Sequence, residues 1–228
     1  MYETTRLAIA LRMARAVAQM TQVELASALD VSKTIIARNE RADMAMRADT
    51  LVRLIAVMRS RQIEIDLFST LDTVRLEAAG PHLDSAAMRA ARAALNISQQ
   101  AFADELGLSK SVVTHGERND SIMRSDTLMI LIETMQARGI DLDWSPVNET
   151  LSVIVQEKAV VAIEEEERRE LVPLSAVSGV TERQASTAAL TEATGTDHAL
   201  LLREQLSTSS KANPSADQSE QGSEDEPA

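Results

Sequence analysis

Apolar residues recur at helical spacing in two stretches of the chain. Leu25, Leu29, Val31, Ile36, Leu51, Leu54, Ile55 and Met58 form the first set, and Phe102, Leu106, Leu108, Val113, Leu128, Leu131, Ile132 and Met135 the second. Polar residues fill the positions between them, the pattern of short helices that each bury one stripe. In the first stretch this predicts a helix over 7–19, a second over 22–29 and a tight turn at Asp30-Val31. A third helix runs to about Asn39, and a fourth runs from Asp49 or Thr50 to near Arg61. Thr21 and Ser32 are placed to cap the second and third, since a hydroxyl accepts the unpaired N–H groups of a first turn. In the second stretch helices are predicted over 85–96, 98–106, 109–115 and 126–138, with the turn at Gly107-Leu108 and Asp84 or Ser85 as the opening cap. The two sets of residues are the expected cores.

The two stretches are copies. Residues 21–67 align with 98–144 without a gap at an offset of 77, and 19 of the 47 positions are identical. Upstream, Arg12 and Arg15 match Arg89 and Arg92. A gapless match of this density means that one structural unit occurs twice. After each fourth helix comes strict alternation, Ile63-Glu64-Ile65-Asp66-Leu67 and Ile140-Asp141-Leu142-Asp143-Trp144, which predicts short strands. If these two segments pair with each other, the copies stand around a pseudo-twofold axis. Beyond Pro146, Leu151 to Ile163 reads either as a hairpin turning at Glu157-Lys158 or as a helix feeding the acidic run from Glu164, and either would suit dimerisation or partner binding.

Composition narrows the class. Aromatic residues are 2% of the chain, which favours small helical units over sandwiches or barrels, and there is no cysteine for disulfides or thiolate metal sites. No apolar run approaches the ~18–20 residues needed to cross a bilayer. The stretch from Leu7 to Met20 is broken by Arg12 and Arg15 and merges into the first unit, so a cytoplasmic protein without membrane association is expected. The net charge of −12 is uneven: residues 1–80 hold 11 basic and 10 acidic side chains, 81–150 hold 6 and 10, and 151–228 hold 6 and 15. The acidity sits in the last third, which leaves nucleic-acid binding open to the first two.

Two short helices around a tight turn, the second of them polar on its outer face, make a helix-turn-helix pattern. The string from Gln22 through Ala26, Leu29, Val31, Ser32 and Ile36 to Glu40 resembles the Cro and lambda-repressor type, the XRE family, and Gln99 through Glu117 fits at the same positions. The resemblance implies that the third helix of each copy enters a major groove of double-stranded DNA while the second crosses the backbone. It places Gln22 and Gln99 against phosphates. It aims Lys33, Thr34 and Arg38 at base edges in the first copy, and Lys110, Ser111 and His115 in the second. Ala37 and Thr114 would touch thymine methyls, and Ser32 and Ser109 would serve as caps first and DNA contacts second. Arg41, Arg47, Arg118 and Arg124, in the loop after the third helix, are either phosphate contacts or ordinary surface charges. Arg15 with Glu40, and Arg92 with Glu117, resemble an internal ion pair of the family. The pattern departs from the family at Asn39 and Gly116, where an apolar residue is usual, and at Arg41 and Arg118, where glycine is usual. Gly116 is expected to weaken the end of its helix. The second copy is more acidic and has His115 in place of Arg38, so the first copy is expected to dominate affinity.

The expectation is therefore a mostly α protein with two tandem lambda-repressor-like helix-turn-helix domains, 1–67 and 83–145, joined by a linker over 68–82. Short strands follow each domain, then a dimerisation or partner-binding segment over 146–174 and a largely disordered acidic tail over 175–228. The expected function is sequence-specific transcriptional regulation in a bacterium or mobile element, with repression favoured over activation. The expected partners are DNA, a second copy, and RNA polymerase or another protein through the C-terminal third. An antitoxin or anti-activator acting on a protein partner, and an architectural or origin-binding protein, are the alternatives. No cofactor is implied. His82, His115 and His198 are scattered, Glu164–Glu167 are contiguous rather than convergent, and no nucleophile, phosphate-loop or metal motif points to an enzyme.

Overall fold

In the computed structural model, residues 2–171 other than 71, 121 and 146 are described, and the expected tail lies outside them. The first half runs α1 (Tyr2–Val17), α2 (Gln22–Ala28), α3 (Lys33–Glu40), α4 (Ala48–Arg59), β1 (Ile63–Asp66) and β2 (Val74–Ala79). The second runs α5 (Leu83–Leu95), α6 (Gln99–Leu106), α7 (Lys110–Gly116), α8 (Ser125–Ala137), β3 (Ile140–Ser145) and β4 (Thr150–Val155), and α9 (Glu157–Leu171) follows.

Side-chain caps mark four of the helix starts. Thr21 and Glu24 form a reciprocal capping box, with Glu24 N–H donating to Thr21 Oγ1 at 3.2 Å and Thr21 N–H to Glu24 Oε2 at 2.7 Å. Ser32, Ser98 and Ser109 cap α3, α6 and α7 through their hydroxyls. The cap expected at Asp84 or Ser85 is not formed. α5 starts after His82, whose backbone is left-handed and whose side chain does not cap. Asp84 Oδ2 instead accepts from Met123 N–H at 2.8 Å, and Ser85 Oγ donates to the Arg118 carbonyl at 2.8 Å. Both side chains are used to hold the loop after α7 and are buried by it.

The strands expected after each fourth helix form, but they do not pair with each other. The sheet order is β1-β2-β4-β3, which puts the two segments on opposite edges. Each pairs with a strand from the stretch behind it, antiparallel, with Ile63 opposite Ala78 and Ile140 opposite Val155. The stretch 68–82, expected as a linker, supplies β2. The two hairpins then join through β2 and β4, where Leu76 pairs with Val153, its own counterpart at the 77-residue offset. A pseudo-twofold axis therefore passes through that pair. Leu151 to Ile163 is neither a hairpin nor one helix: β4 ends at Val155 and α9 starts at Glu157.

α1 and α5 pack on each other beside this axis and are buried around most of their circumference. Alanines 8, 10 and 14 of α1 and 86, 87, 90, 91 and 94 of α5 are buried, and such small residues let the two helices approach closely. Each half adds the same apolar set, Leu25, Leu29, Ile36, Leu54 and Met58 in one and Phe102, Leu106, Val113, Leu131 and Met135 in the other, all buried. The expected core residues Val31, Leu51, Ile55, Leu108, Leu128 and Ile132 are half-buried at the rim. α9 packs on α1 through Ala159, Val160 and Ile163, which are buried.

Candidate nucleic-acid interface

The turn between α2 and α3 and that between α6 and α7 have the same construction. Val31 N–H donates to the Ala26 carbonyl at 3.0 Å, and Leu108 N–H to that of Ala103 at 2.9 Å. The turn needs a left-handed residue, supplied by Asp30 (φ 54°) in one and Gly107 (φ 65°) in the other. Ala26 and Ala103 are buried at these turns.

Behind each third helix lies an ion-paired cluster. Arg15 grips Glu40 through Nε and through Nη2, the latter at 3.1 Å to Oε2, and its Nη1 donates to the Met20 carbonyl at 3.0 Å. Arg92 grips Glu117 in the same way, with Nη2 at 3.2 Å from Oε2 and Nη1 at 3.1 Å from the Ile97 carbonyl. Gln22 and Gln99 join the clusters, each donating from Nε2 to the second carboxylate oxygen at 2.7 and 2.6 Å. These amides stand at the first positions of α2 and α6 with one hydrogen committed inward.

The residues expected at base edges fall on the outer faces of α3 and α7. Lys33, Thr34 and Arg38 are exposed and Ala37 is half-buried, while Lys110, Ser111 and His115 are exposed and Thr114 is half-buried. Thr114 Oγ1 donates to the Lys110 carbonyl at 2.9 Å, back-bonding within its own helix. Ser109 Oγ lies 3.0 Å from Ser111 Oγ. Among the described residues Lys33, Arg38 and Lys110 make no ion pair.

Three of the four loop arginines already meet a carboxylate two residues on: Arg41 with Asp43 at 2.8 Å, Arg47 with Asp49 at 3.1 Å and Arg124 with Asp126 at 2.8 Å. Arg118 is exposed and its carbonyl is taken by Ser85. Arg124 and the Thr127 amide hold the Asp126 carboxyl below its ordinary pKa. Arg47 and Arg124 are each 82% exposed, so these pairs are weak and exchange for another anion at little cost.

Gly116 has a packing reason. A Cβ there would lie 2.5 Å from Met88 Sδ, so the end of α7 is kept small for a buried methionine of α5. The run from Glu164 is ion-paired. Glu164 pairs with Arg168, Glu165 with Arg169, Glu166 with Arg138 and Glu167 with Arg12. Reading the sequence also missed Arg12 and Arg89, whose signal was a charge recurring at the repeat offset inside an otherwise apolar helix. Both are buried, and burial pulls both guanidinium groups below their usual pKa, with Glu167 opposing the shift at Arg12 and Glu117 and Asp84 opposing it at Arg89.

Among the described residues no helix is long and apolar enough to cross a membrane. No curated protein and no solved structure matches the chain. Residues 88–141, less than half of the chain, match the helix-turn-helix family model. That match covers most of α5, all of α6, α7 and α8 and the start of β3. This segment carries a helix-turn-helix domain, similar to those of the XRE type.

Proposed function

We propose that the chain is a sequence-specific regulator of transcription in which α1–α4 form a second helix-turn-helix module beside the one in α5–α8. The observation that carries this reading is the repeat of geometry at the 77-residue offset. The turn bond, the left-handed turn residue, the capped third helix and the Arg–Glu–Gln cluster all recur at matched positions. Residue for residue, α3 would present Lys33, Thr34 and Arg38 to base edges and α7 would present Lys110, Ser111 and His115, with Ala37 and Thr114 against thymine methyls. Lysine and arginine suit guanine O6 and N7. Gln22, Gln99, Ser32 and Ser109 would stand at the groove edge beside phosphates, where the positive ends of α2, α3, α6 and α7 favour an anion. Arg41, Arg47, Arg118 and Arg124 would add phosphate contacts by exchanging their carboxylate partners for DNA.

Two modules around an internal axis give one chain what this type of protein otherwise obtains by dimerisation, two half-sites read together. Because the modules differ at Arg38 and His115, the half-sites differ in sequence. Repression by occupancy is the favoured mode, since occlusion of a promoter needs nothing beyond binding. The acidic C-terminal third would keep the protein soluble and off non-specific DNA.

Selection of duplexes from a random pool by the full chain, followed by fluorescence anisotropy of the enriched and scrambled duplexes across a salt series, tests this. The expected result is one enriched motif bound about 10³-fold or more above scrambled DNA, with affinity falling steeply as salt rises. No enriched motif and salt-insensitive binding would contradict it.

A further inference from the structure

Arg12 and Arg89 occupy equivalent places and make similar bonds, one residue apart in their cross-half partner, across the pseudo-twofold axis. Arg12 Nη1 donates to the Glu40 carbonyl at the end of α3 at 2.8 Å, and its Nη2 donates to the Ala94 carbonyl near the end of α5 at 3.2 Å. Arg89 Nη1 donates to the Glu117 carbonyl at the end of α7 at 2.6 Å, and its Nε donates to the Ala16 carbonyl near the end of α1 at 3.0 Å. Each guanidinium thus joins the third helix of its own half to the first helix of the other half. The carbonyls at helix ends lack intrahelical partners and carry the negative end of the helix dipole, so a buried cation held between two such ends is well placed.

A third partner of the guanidinium completes each junction, and it is a different residue on the two sides. Glu167 of α9 accepts from Arg12 at 2.7 Å and from Asn96, just after α5, at 3.1 Å. On the other side Asn119 accepts from Arg89 at 2.8 Å and donates to Gln19, just after α1, at 3.3 Å. Asn96 and Gln19 are counterparts at the repeat offset. The same bridge is therefore made twice, once by a carboxylate from α9 and once by an amide from the loop after α7.

We propose that Arg12 and Arg89 are positioning residues that fix the separation and angle of α3 and α7, and so set the half-site spacing that the protein accepts. This rests on the two-module DNA-binding reading above. A planar fork with donors on three nitrogens spans two carbonyls and an anchor in a fixed geometry, whereas the donors of a lysine radiate from one nitrogen on a flexible stem. Loosening the fork should leave each recognition surface intact while letting the two surfaces move relative to each other.

The experiment measures affinity of the full chain for duplexes that carry both half-sites of the selected motif, with the distance between them changed one base pair at a time. A duplex with a single half-site serves as reference. The unaltered chain should prefer one spacing about tenfold or more over its neighbours. Arg12→Lys and Arg89→Lys should reduce that preference to about threefold or less and leave single-half-site affinity within about threefold. A defect of folding alone would not redistribute affinity among spacings. If either variant fails to fold by circular dichroism, Glu167→Gln and Asn119→Ala, which loosen the junctions from outside, should flatten the spacing profile in the same direction. Folded variants that keep the original profile overturn the inference and leave the DNA reading standing. Failure of the unaltered chain to bind any of these duplexes overturns both.

Discussion

At the residue scale the chain is held by charges that sit where charge is costly. Glu40 and Glu117 are nearly buried and satisfied by an arginine and a glutamine each, while Arg15 and Arg92 keep about a quarter of their side chains in solvent. Removing the glutamate of such a pair costs more than the pair contributes, because the arginine left behind is still largely buried and loses its partner. Glu40→Gln should therefore lower stability by roughly 3 kcal/mol, with a similar loss for Glu117→Gln. Urea unfolding followed by circular dichroism checks this, and a loss below about 0.5 kcal/mol in both, the value expected of an exposed pair, would contradict it. These pairs were legible in the sequence because both partners recur at a fixed offset and match a known pattern. The roles of Arg12 and Arg89 were not. Their partners are backbone carbonyls of the other half, and a carbonyl has no sequence signature.

Helices were more legible than strands, for reasons that differ by element. Helix boundaries follow local chemistry, and the hydroxyls of Thr21, Ser32, Ser98 and Ser109 stand where each cap forms. Replacing Thr21 by alanine removes the hydroxyl half of its capping box, keeps the backbone N–H to Glu24, and should lower stability by about 1 kcal/mol. Thermal unfolding of Thr21→Ala against the unaltered chain measures this, and an unchanged midpoint would contradict it. Where a start has no side-chain cap, as after Arg47, Arg124 and His82, the helix begins one or two residues before the expected position. The alternation at Ile63 and Ile140 reported which side chains face inward. It could not report which strand lies alongside, because period two fixes a face and not a neighbour. β2 and β4 share almost no sequence, yet they hold matched places in the sheet, since alternating burial asks only for an apolar residue at every second position. The repeat is therefore longer in structure than in sequence.

At the scale of the whole molecule, the sheet and the α1–α5 contact turn two halves of one chain into a pseudo-symmetric pair, and α9 breaks the symmetry by packing on α1, with no equivalent helix on α5 among the described residues. The overall acidity hid this arrangement from any argument based on net charge, because the candidate DNA-facing residues are few and lie on two short helices. The central claim is that α3 and α7 each read one half-site on the same DNA. Hydroxyl-radical footprinting on the selected duplex tests it most directly, using the unaltered chain, a Lys33→Ala, Arg38→Ala variant and a Lys110→Ala, His115→Ala variant. Two protected half-sites on one face of the duplex are predicted, about one helical turn apart. The first variant should lose one of them and the second variant the other. Each lost base contact should cost about 1–3 kcal/mol, with the larger total loss in the first variant. A single protected site that only the second variant abolishes would contradict the account and leave α5–α8 as the sole DNA-reading module.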